Sequence, residues 1–183
     1  MILSIYDIPE TGLDYNLSPQ TEWAVTSLKQ HLTQLDSSSL TGALHVTCVE
    51  AIIHVSGTFS LLLKSLCDRC TEAFDFTLSV SIDLDFLPAH ADSEPLKNKR
   101  FSEEEVELTV DDVSYGFYHG EEINLASLVS EQALLVLPQQ FLCTPDCKGL
   151  CPQCGINKNQ QSCSCEIEKT IDPRWEALRK LKK

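Results

Sequence analysis

The sequence predicts an α+β protein: an antiparallel β-rich body, one long helix and a small cysteine-rich C-terminal module. Three observations carry this prediction. From residue 74 to 86 the chain alternates without a miss, with Phe74, Phe76, Leu78, Val80, Ile82, Leu84 and Phe86 on one side and Asp75, Thr77, Ser79, Ser81, Asp83 and Asp85 on the other. A period of two marks a strand buried on one face, the habit of antiparallel sheets. Residues 124–137 instead space Leu125, Leu128, Val129, Leu135 and Val136 at helical intervals, with Asn124 as N-cap and Pro138 as stop. Finally, composition breaks near Pro138. Residues 1–142 hold 6 basic and 22 acidic side chains, net −16, whereas residues 143–183 hold 8 and 5, net +3, and six of the nine cysteines.

The remaining elements follow in order. Residues 21–35 read as a short helix with Trp23, Val25, Leu28, Leu32 and Leu35 roughly on one side. Residues 43–49 and 51–56 read as strands bent around Glu50, and Phe59, Leu61 and Leu63 continue the alternation, so 43–86 is expected to form a β-meander. Residues 88–106, with Pro88, Pro95, Lys97, Lys99, Arg100 and Glu103 to Glu105, read as a flexible, solvated loop. Asp172 and Pro173 open a short basic C-terminal helix. The expected division is therefore an acidic body over 1–138 and a cysteine-rich module with its basic helix over 139–183.

Composition also narrows compartment and partners. At 183 residues with 43% hydrophobic content, the chain is long and apolar enough for a real core. A net charge of −13 argues against coating nucleic acid by phosphate neutralisation, at least for the body. The first residues carry no basic stretch, and no run approaches the roughly 18 apolar residues of a membrane span, so the expected compartment is the cytoplasm. Thiols there stay reduced, which points nine cysteines toward metal rather than disulfides.

The cysteine spacing supports that. Cys143-x3-Cys147-x3-Cys151-x2-Cys154 is followed by Cys163-x-Cys165, while Cys67-x2-Cys70 stands upstream at the turn between two strands. A Cys-x2-Cys turn presents two thiolates together, and two such halves make a tetrahedral Zn2+ site. Between Cys143 and Asp172 the aliphatic side chains are only Leu150, Ile156, Ile167 and Ile171, too few for a core. A structural Zn2+, with an apparent binding energy of roughly 10–16 kcal/mol, would order such a stretch. The preferred partition places Cys151, Cys154, Cys163 and Cys165 in one site and Cys67, Cys70, Cys143 and Cys147 in another. The rival is a single site from the C-terminal six, with Cys67 and Cys70 free. Two four-thiolate zinc sites would move the net charge from −13 to −17. Cys48, beside Leu44 and Val46, reads as a core thiol.

Other chemistry ranks lower. Cys147-x3-Cys151-x2-Cys154 matches the cluster spacing of radical S-adenosylmethionine enzymes, but in the wrong part of a short chain. Iron–sulfur binding and a redox role for Cys67 and Cys70 are weaker alternatives. His31, His45, His54, His90 and His119 show no ligand spacing, and the acidic runs read as solvated faces. The chain is expected not to be an enzyme.

The motifs also fall in a familiar order. Cys67-Asp68-Arg69-Cys70 is followed by Glu122-Ile123-Asn124-Leu125, then by Leu135-Val136-Leu137-Pro138. Next come Cys147-Lys148-Gly149-Leu150-Cys151-Pro152-Gln153-Cys154-Gly155 with Asn157 and Asn159, then Cys163-Ser164-Cys165 and Asp172-Pro173-Arg174. This series resembles the YceD family, also called DUF177. The resemblance implies a role in accumulation of large-subunit (23S) ribosomal RNA, hence in ribosome biogenesis, without enzymatic activity. The cysteine spacing, not the resemblance, gives the expectation that Zn2+ orders the C-terminal module, which would then present Lys148, Lys158, Arg174, Arg179, Lys180, Lys182 and Lys183 to ribosomal RNA. The acidic body would face a ribosomal protein or processing enzyme. The alternative is an adaptor or chaperone of a basic ribosomal protein that touches no RNA.

Overall fold

The computed structural model describes residues 1–32, 34–89 and 115–165. The chain divides into two units. One comprises Met1–Ser65 and Phe74–Gln139; the other joins Leu66–Ala73 to the chain from Gln140 on. Among the described residues the fold is mixed α+β, with a β-rich sheet and two α-helices.

In the first unit, strands β1 (Ile2–Ser4), β2 (Leu13–Leu17), β3 (Leu35–Val49), β4 (Ile52–Leu66), β5 (Ala73–Pro88), β6 (Tyr115–Tyr118) and β7 (Glu122–Asn124) accompany helices α1 (Glu22–His31) and α2 (Leu125–Val136). A five-stranded sheet runs in the order β2-β3-β4-β5-β6, and β1 pairs with β7 separately. The expected meander is the centre of this sheet. Leu44, Val46, Ile53, Val55, Phe59, Leu61, Leu63, Leu78, Val80 and Ile82 are all buried, as the alternation requires. Against the same core lie Ala24 and Leu28 of α1 and Leu125, Leu128, Val129 and Ala133 of α2.

Four expectations need correction. The sheet is not wholly antiparallel: β6 pairs with β5 in parallel, Asp85 opposite Tyr115 through Pro88 opposite Tyr118. A parallel pair needs a connection of a dozen or more residues, and residues 89–114 supply that length. The second helix is twelve residues, an ordinary three-turn element rather than a long one. The first helix ends at His31, because Leu35 and Asp36 are taken into β3 opposite Leu63 and Leu62. Pro88 closes β5 instead of opening a loop. Residues 90–106 of that loop and the expected C-terminal helix lie outside the described residues.

Local signals explain the helix ends. Asn124 Oδ1 accepts the Ser127 N–H at 3.2 Å, the N-cap read from sequence. Leu137, extended before Pro138, ends α2. The helices also meet through polar groups: Ser27 Oγ donates to the Ala126 carbonyl at 2.7 Å and lies 3.0 Å from Ser130 Oγ. No helix among the described residues is long and apolar enough to cross a membrane.

Candidate metal centres

The second unit is built around cysteines, starting from two turns of the same design. At the tip between β4 and β5, Thr71 N–H donates to the Cys67 carbonyl at 2.8 Å and Cys67 N–H to the Glu72 carbonyl at 2.9 Å. At the second turn, Gly155 N–H donates to the Cys151 carbonyl at 2.9 Å and Cys151 N–H to the Ile156 carbonyl at 2.8 Å. Each turn needs a left-handed residue just past its second cysteine. Gly155 fills that place at φ 73° without cost, and Thr71 does so at φ 60° despite its branched side chain.

Backbone and side-chain bonds then fix the C-terminal segment on the first turn. Asp68 N–H donates to the Phe141 carbonyl at 2.8 Å, and Phe141 N–H returns to Asp68 Oδ2 at 2.7 Å. Arg69 Nη1 donates to the Cys147 carbonyl at 3.1 Å, and Leu150 N–H to the Arg69 carbonyl at 2.9 Å. Gly149 is required at this approach. Its φ is 69°, and a Cβ there would stand 2.8 Å from the Arg69 carbonyl oxygen.

The result is two sets of four sulfurs, each set within 4.8 Å: Cys67, Cys70, Cys143 and Cys147, and Cys151, Cys154, Cys163 and Cys165. These are the sets preferred from spacing. The rival grouping, with Cys67 and Cys70 apart from the others, does not occur. Cys147 falls in one set and Cys151 and Cys154 in the other, so the radical-enzyme spacing does not assemble a three-thiolate site. Cys48 lies half-buried on β3 opposite Ile53, outside both sets.

The spacing of the sulfurs tests whether a metal fits. Cys67 Sγ is 3.7 Å from Cys147 Sγ, and Cys70 Sγ is 3.6 Å from Cys143 Sγ. A tetrahedron with Zn–S bonds of 2.3 Å has edges of about 3.8 Å. The first set matches those edges, and the second, with its four sulfurs within 4.8 Å of one another, is likewise positioned to hold a metal ion, each with four soft donors.

The environment divides the thiols. Burial pushes Cys67 up, but N–H groups of Cys143, Arg69 and Cys70 outweigh it and bring the thiol down to about 6. An N–H of Glu72 draws Cys70 down, yet burial and the Cys67, Cys143 and Cys147 sulfurs push it up to about 12. Burial raises Cys143. For Cys147, burial is overcome by the Asn159 side chain and the Gly149 N–H, which lower it. In the other set, N–H groups of Cys154 and Gln153 bring Cys151 down to about 6, while the Cys154 sulfur and burial push Cys165 to about 12. Crowded sulfurs without a cation cannot all ionise, and a divalent ion removes that conflict.

Sequence reasoning gave no role to the polar residues that brace these sulfurs. Asn159 Nδ2 donates to Cys147 Sγ at 3.2 Å and to Asn157 Oδ1 at 2.9 Å, while Asn159 Oδ1 accepts the Lys148 N–H at 2.8 Å. Asn157 Nδ2 and Gln160 Nε2 both donate to Glu72 Oε1, at 3.2 and 3.0 Å. Of the residues expected to meet RNA, Lys148 is exposed and Lys158 half-buried. Arg174, Arg179, Lys180, Lys182 and Lys183 lie outside the described residues. The histidines near carboxylates sit in the first unit, His45 Nδ1 2.7 Å from Asp14 Oδ1 and His54 Nδ1 2.7 Å from Asp85 Oδ1, and belong to neither cysteine set.

Comparison with known proteins adds a family. The model described as "Large ribosomal RNA subunit accumulation protein YceD" matches residues 55–182. Uncharacterized proteins of Mycobacterium bovis and of two Mycobacterium tuberculosis strains are each 31% identical to the chain over 135 residues. Those matches cover 74% of this chain and 58% of each relative. No solved structure matches.

Proposed function

The chain belongs to the YceD family, and from that premise we propose that it is a non-enzymatic ribosome-biogenesis factor needed for accumulation of 23S ribosomal RNA. Two structural Zn2+ ions order its C-terminal segment as a binding surface. The observation that carries this reading is the pair of four-sulfur sets. A four-thiolate zinc site is closed, with no position for water or substrate, which favours a structural over a catalytic ion. In the first set the edge lengths of 3.7 and 3.6 Å suit a single zinc ion rather than an iron–sulfur cluster. A ribosome-biogenesis role would place the chain in the cytoplasm.

The rRNA-facing surface would comprise Lys148 and Lys158 with the basic C-terminal residues Arg174, Arg179, Lys180, Lys182 and Lys183. A second reading, an adaptor for a basic ribosomal protein or processing enzyme, is favoured by the net −16 of residues 1–142, with Asp75 and Asp83 exposed on β5.

Cells depleted of the protein test the main reading. The ratio of 23S to 16S rRNA should fall and recover with the native chain but not with Cys67→Ser or Cys151→Ser. An unchanged ratio on depletion would sink it. A salt-sensitive gel shift with 23S fragments, lost on charge reversal of Arg179, Lys180, Lys182 and Lys183, separates direct RNA contact from the adaptor.

A further inference from the structure

The two cysteine sets share a donor type but differ in how they meet solvent. In the first, Cys67, Cys70 and Cys147 are 1%, 2% and 3% exposed, and Cys143 is half-buried. In the second, Cys151 is 3% exposed, but Cys163 and Cys165 are half-buried and Cys154 is exposed. The bracing differs too. The first set is closed by residues distant in sequence. Cys67 receives the N–H groups of Arg69 and Cys70 within its own turn but also that of Cys143 from the distant segment, and Cys147 takes the Asn159 side-chain amide at 3.2 Å. Asn159 is tied through Asn157 to Glu72, whose carbonyl accepts the Cys67 N–H. The second set is local: Cys151 receives N–H groups of Gln153 and Cys154 within its own turn, and Cys163 that of Cys165.

These differences govern how an ion leaves. Zinc–thiolate exchange is associative. An incoming thiolate adds to the ion, which expands its coordination before a resident sulfur departs. An attacking group must therefore reach the metal. Burial closes that path in the first set, where opening requires the long-range bonds to break together. The Cys154 corner of the second set is open to it.

We propose that the two sites differ in kind: the first holds its Zn2+ as a permanent clamp, and the second holds a Zn2+ that exchanges with external thiolates, entering at Cys154. This rests on the reading that both sets take Zn2+. Each exchange step forms one Zn–S bond to an incoming thiolate and breaks one to a resident cysteine, Cys154 first, and repetition at Cys151, Cys163 and Cys165 passes the ion to the acceptor. The released thiolate takes a proton from water, and no electron is transferred. The partner is a thiol-bearing metal acceptor or donor. Occupancy of the second site would then follow zinc supply while the clamp stays loaded.

Stopped-flow release from the full chain carrying two Zn2+ tests this, with excess 4-(2-pyridylazo)resorcinol as probe. Two phases of one ion each are expected, separated by about tenfold or more in rate. Cys154→Ser should remove only the fast phase and Cys67→Ser only the slow one. Millimolar glutathione and a metal-free four-cysteine zinc-finger peptide, tried separately in place of the dye, distinguish a small thiol from a protein acceptor. Either should take one ion. Both ions leaving at one rate, or a fast phase lost in Cys67→Ser, overturns the exchange proposal. Fewer than two ions at the start overturns the underlying metal reading instead. Should Cys67→Ser fail to fold, iodoacetamide mapping of the native chain decides. Cys154, Cys163 and Cys165 should be labelled during the fast phase with Cys67, Cys70 and Cys147 protected, and the reverse order overturns the assignment.

Discussion

Thr71 occupies the conformation that Gly155 occupies in the sister turn, and a β-branched residue at φ 60° carries a cost of about 1–2 kcal/mol. Thr71→Gly relieves it but raises the unfolded-state entropy and removes the Thr71 Oγ1 bond to the Cys70 carbonyl, so the zinc-loaded protein should gain at most about 1 kcal/mol, read as a raised thermal midpoint. Gly149→Ala should do the opposite, since its Cβ would meet the Arg69 carbonyl on which Leu150 depends. Asn159 would act on a bound metal through sulfur. Its N–H bond lowers the energy of the Cys147 donor electrons, so removing it should move sulfur-to-metal charge transfer to lower energy in cobalt-substituted protein. Asn159→Asp keeps the shape and the acceptor for the Lys148 N–H but loses the donor. It should reproduce the shift of Asn159→Ala, and first-site affinity should fall by about 10–100-fold in both. An unshifted band in both variants would confine Asn159 to loop structure.

Among the elements, the β3–β4 hairpin shows where sequence reasoning stops. Glu50 and Ala51 both have positive φ, 50° and 65°, between the paired residues Val49 and Ile52. Such a two-residue turn favours Asn-Gly, and Glu-Ala gives no such signal, so from sequence it reads only as a bend. Replacing the pair by Asn-Gly should stabilise the protein by about 1 kcal/mol in urea unfolding. Asn124→Ala, which strips the cap of α2, should cost about 1 kcal/mol in the same assay. The alternation in β5 and the cap of α2 are legible because each is a local pattern several residues long. Strands β1, β2, β6 and β7 are three to five residues, too short for a period to stand out, and their places are set by partners distant in sequence. The cysteine sets are legible for the converse reason. Cys-x2-Cys fixes Cys67 with Cys70 and Cys151 with Cys154 locally, and the short spacings of Cys143 with Cys147 and Cys163 with Cys165 do the same for the other halves. Asn159 has no such spacing, so its bond to Cys147 appears only in three dimensions.

For the molecule as a whole, every member of the hydrophobic core among the described residues belongs to the first unit, whereas the most buried described side chains of the second are Cys67, Cys70, Cys147 and Cys151. Stripping the metal should therefore remove amide protection from residues 66–73 and 140–165 while the first unit keeps its protection, as read by hydrogen-exchange mass spectrometry. Equal protection with and without metal would mean the second unit holds itself. Acid should act in the same direction as chelation. Cys67 and Cys151 sit at about 6 in the folded chain, below the ordinary thiol value of 9, so their contribution is complete above pH 9 and lost as pH falls through about 6. Cys70 and Cys165, held at about 12, make the opposite contribution, kept below pH 9 and lost only as pH rises through 12, so they do not offset the acid loss. An ion binding at pH 7.5 displaces protons chiefly from the raised thiols, Cys70 and Cys143 in one set and Cys163 and Cys165 in the other. At pH 5.5 Cys67 and Cys151 carry protons as well, so each Zn2+ must displace more of them and affinity falls more steeply. Calorimetry in buffers of different ionisation enthalpy should therefore count more protons released per ion at pH 5.5 than at pH 7.5. Equal counts at the two pH values would show that the N–H groups around Cys67 and Cys151 do not hold them as thiolates.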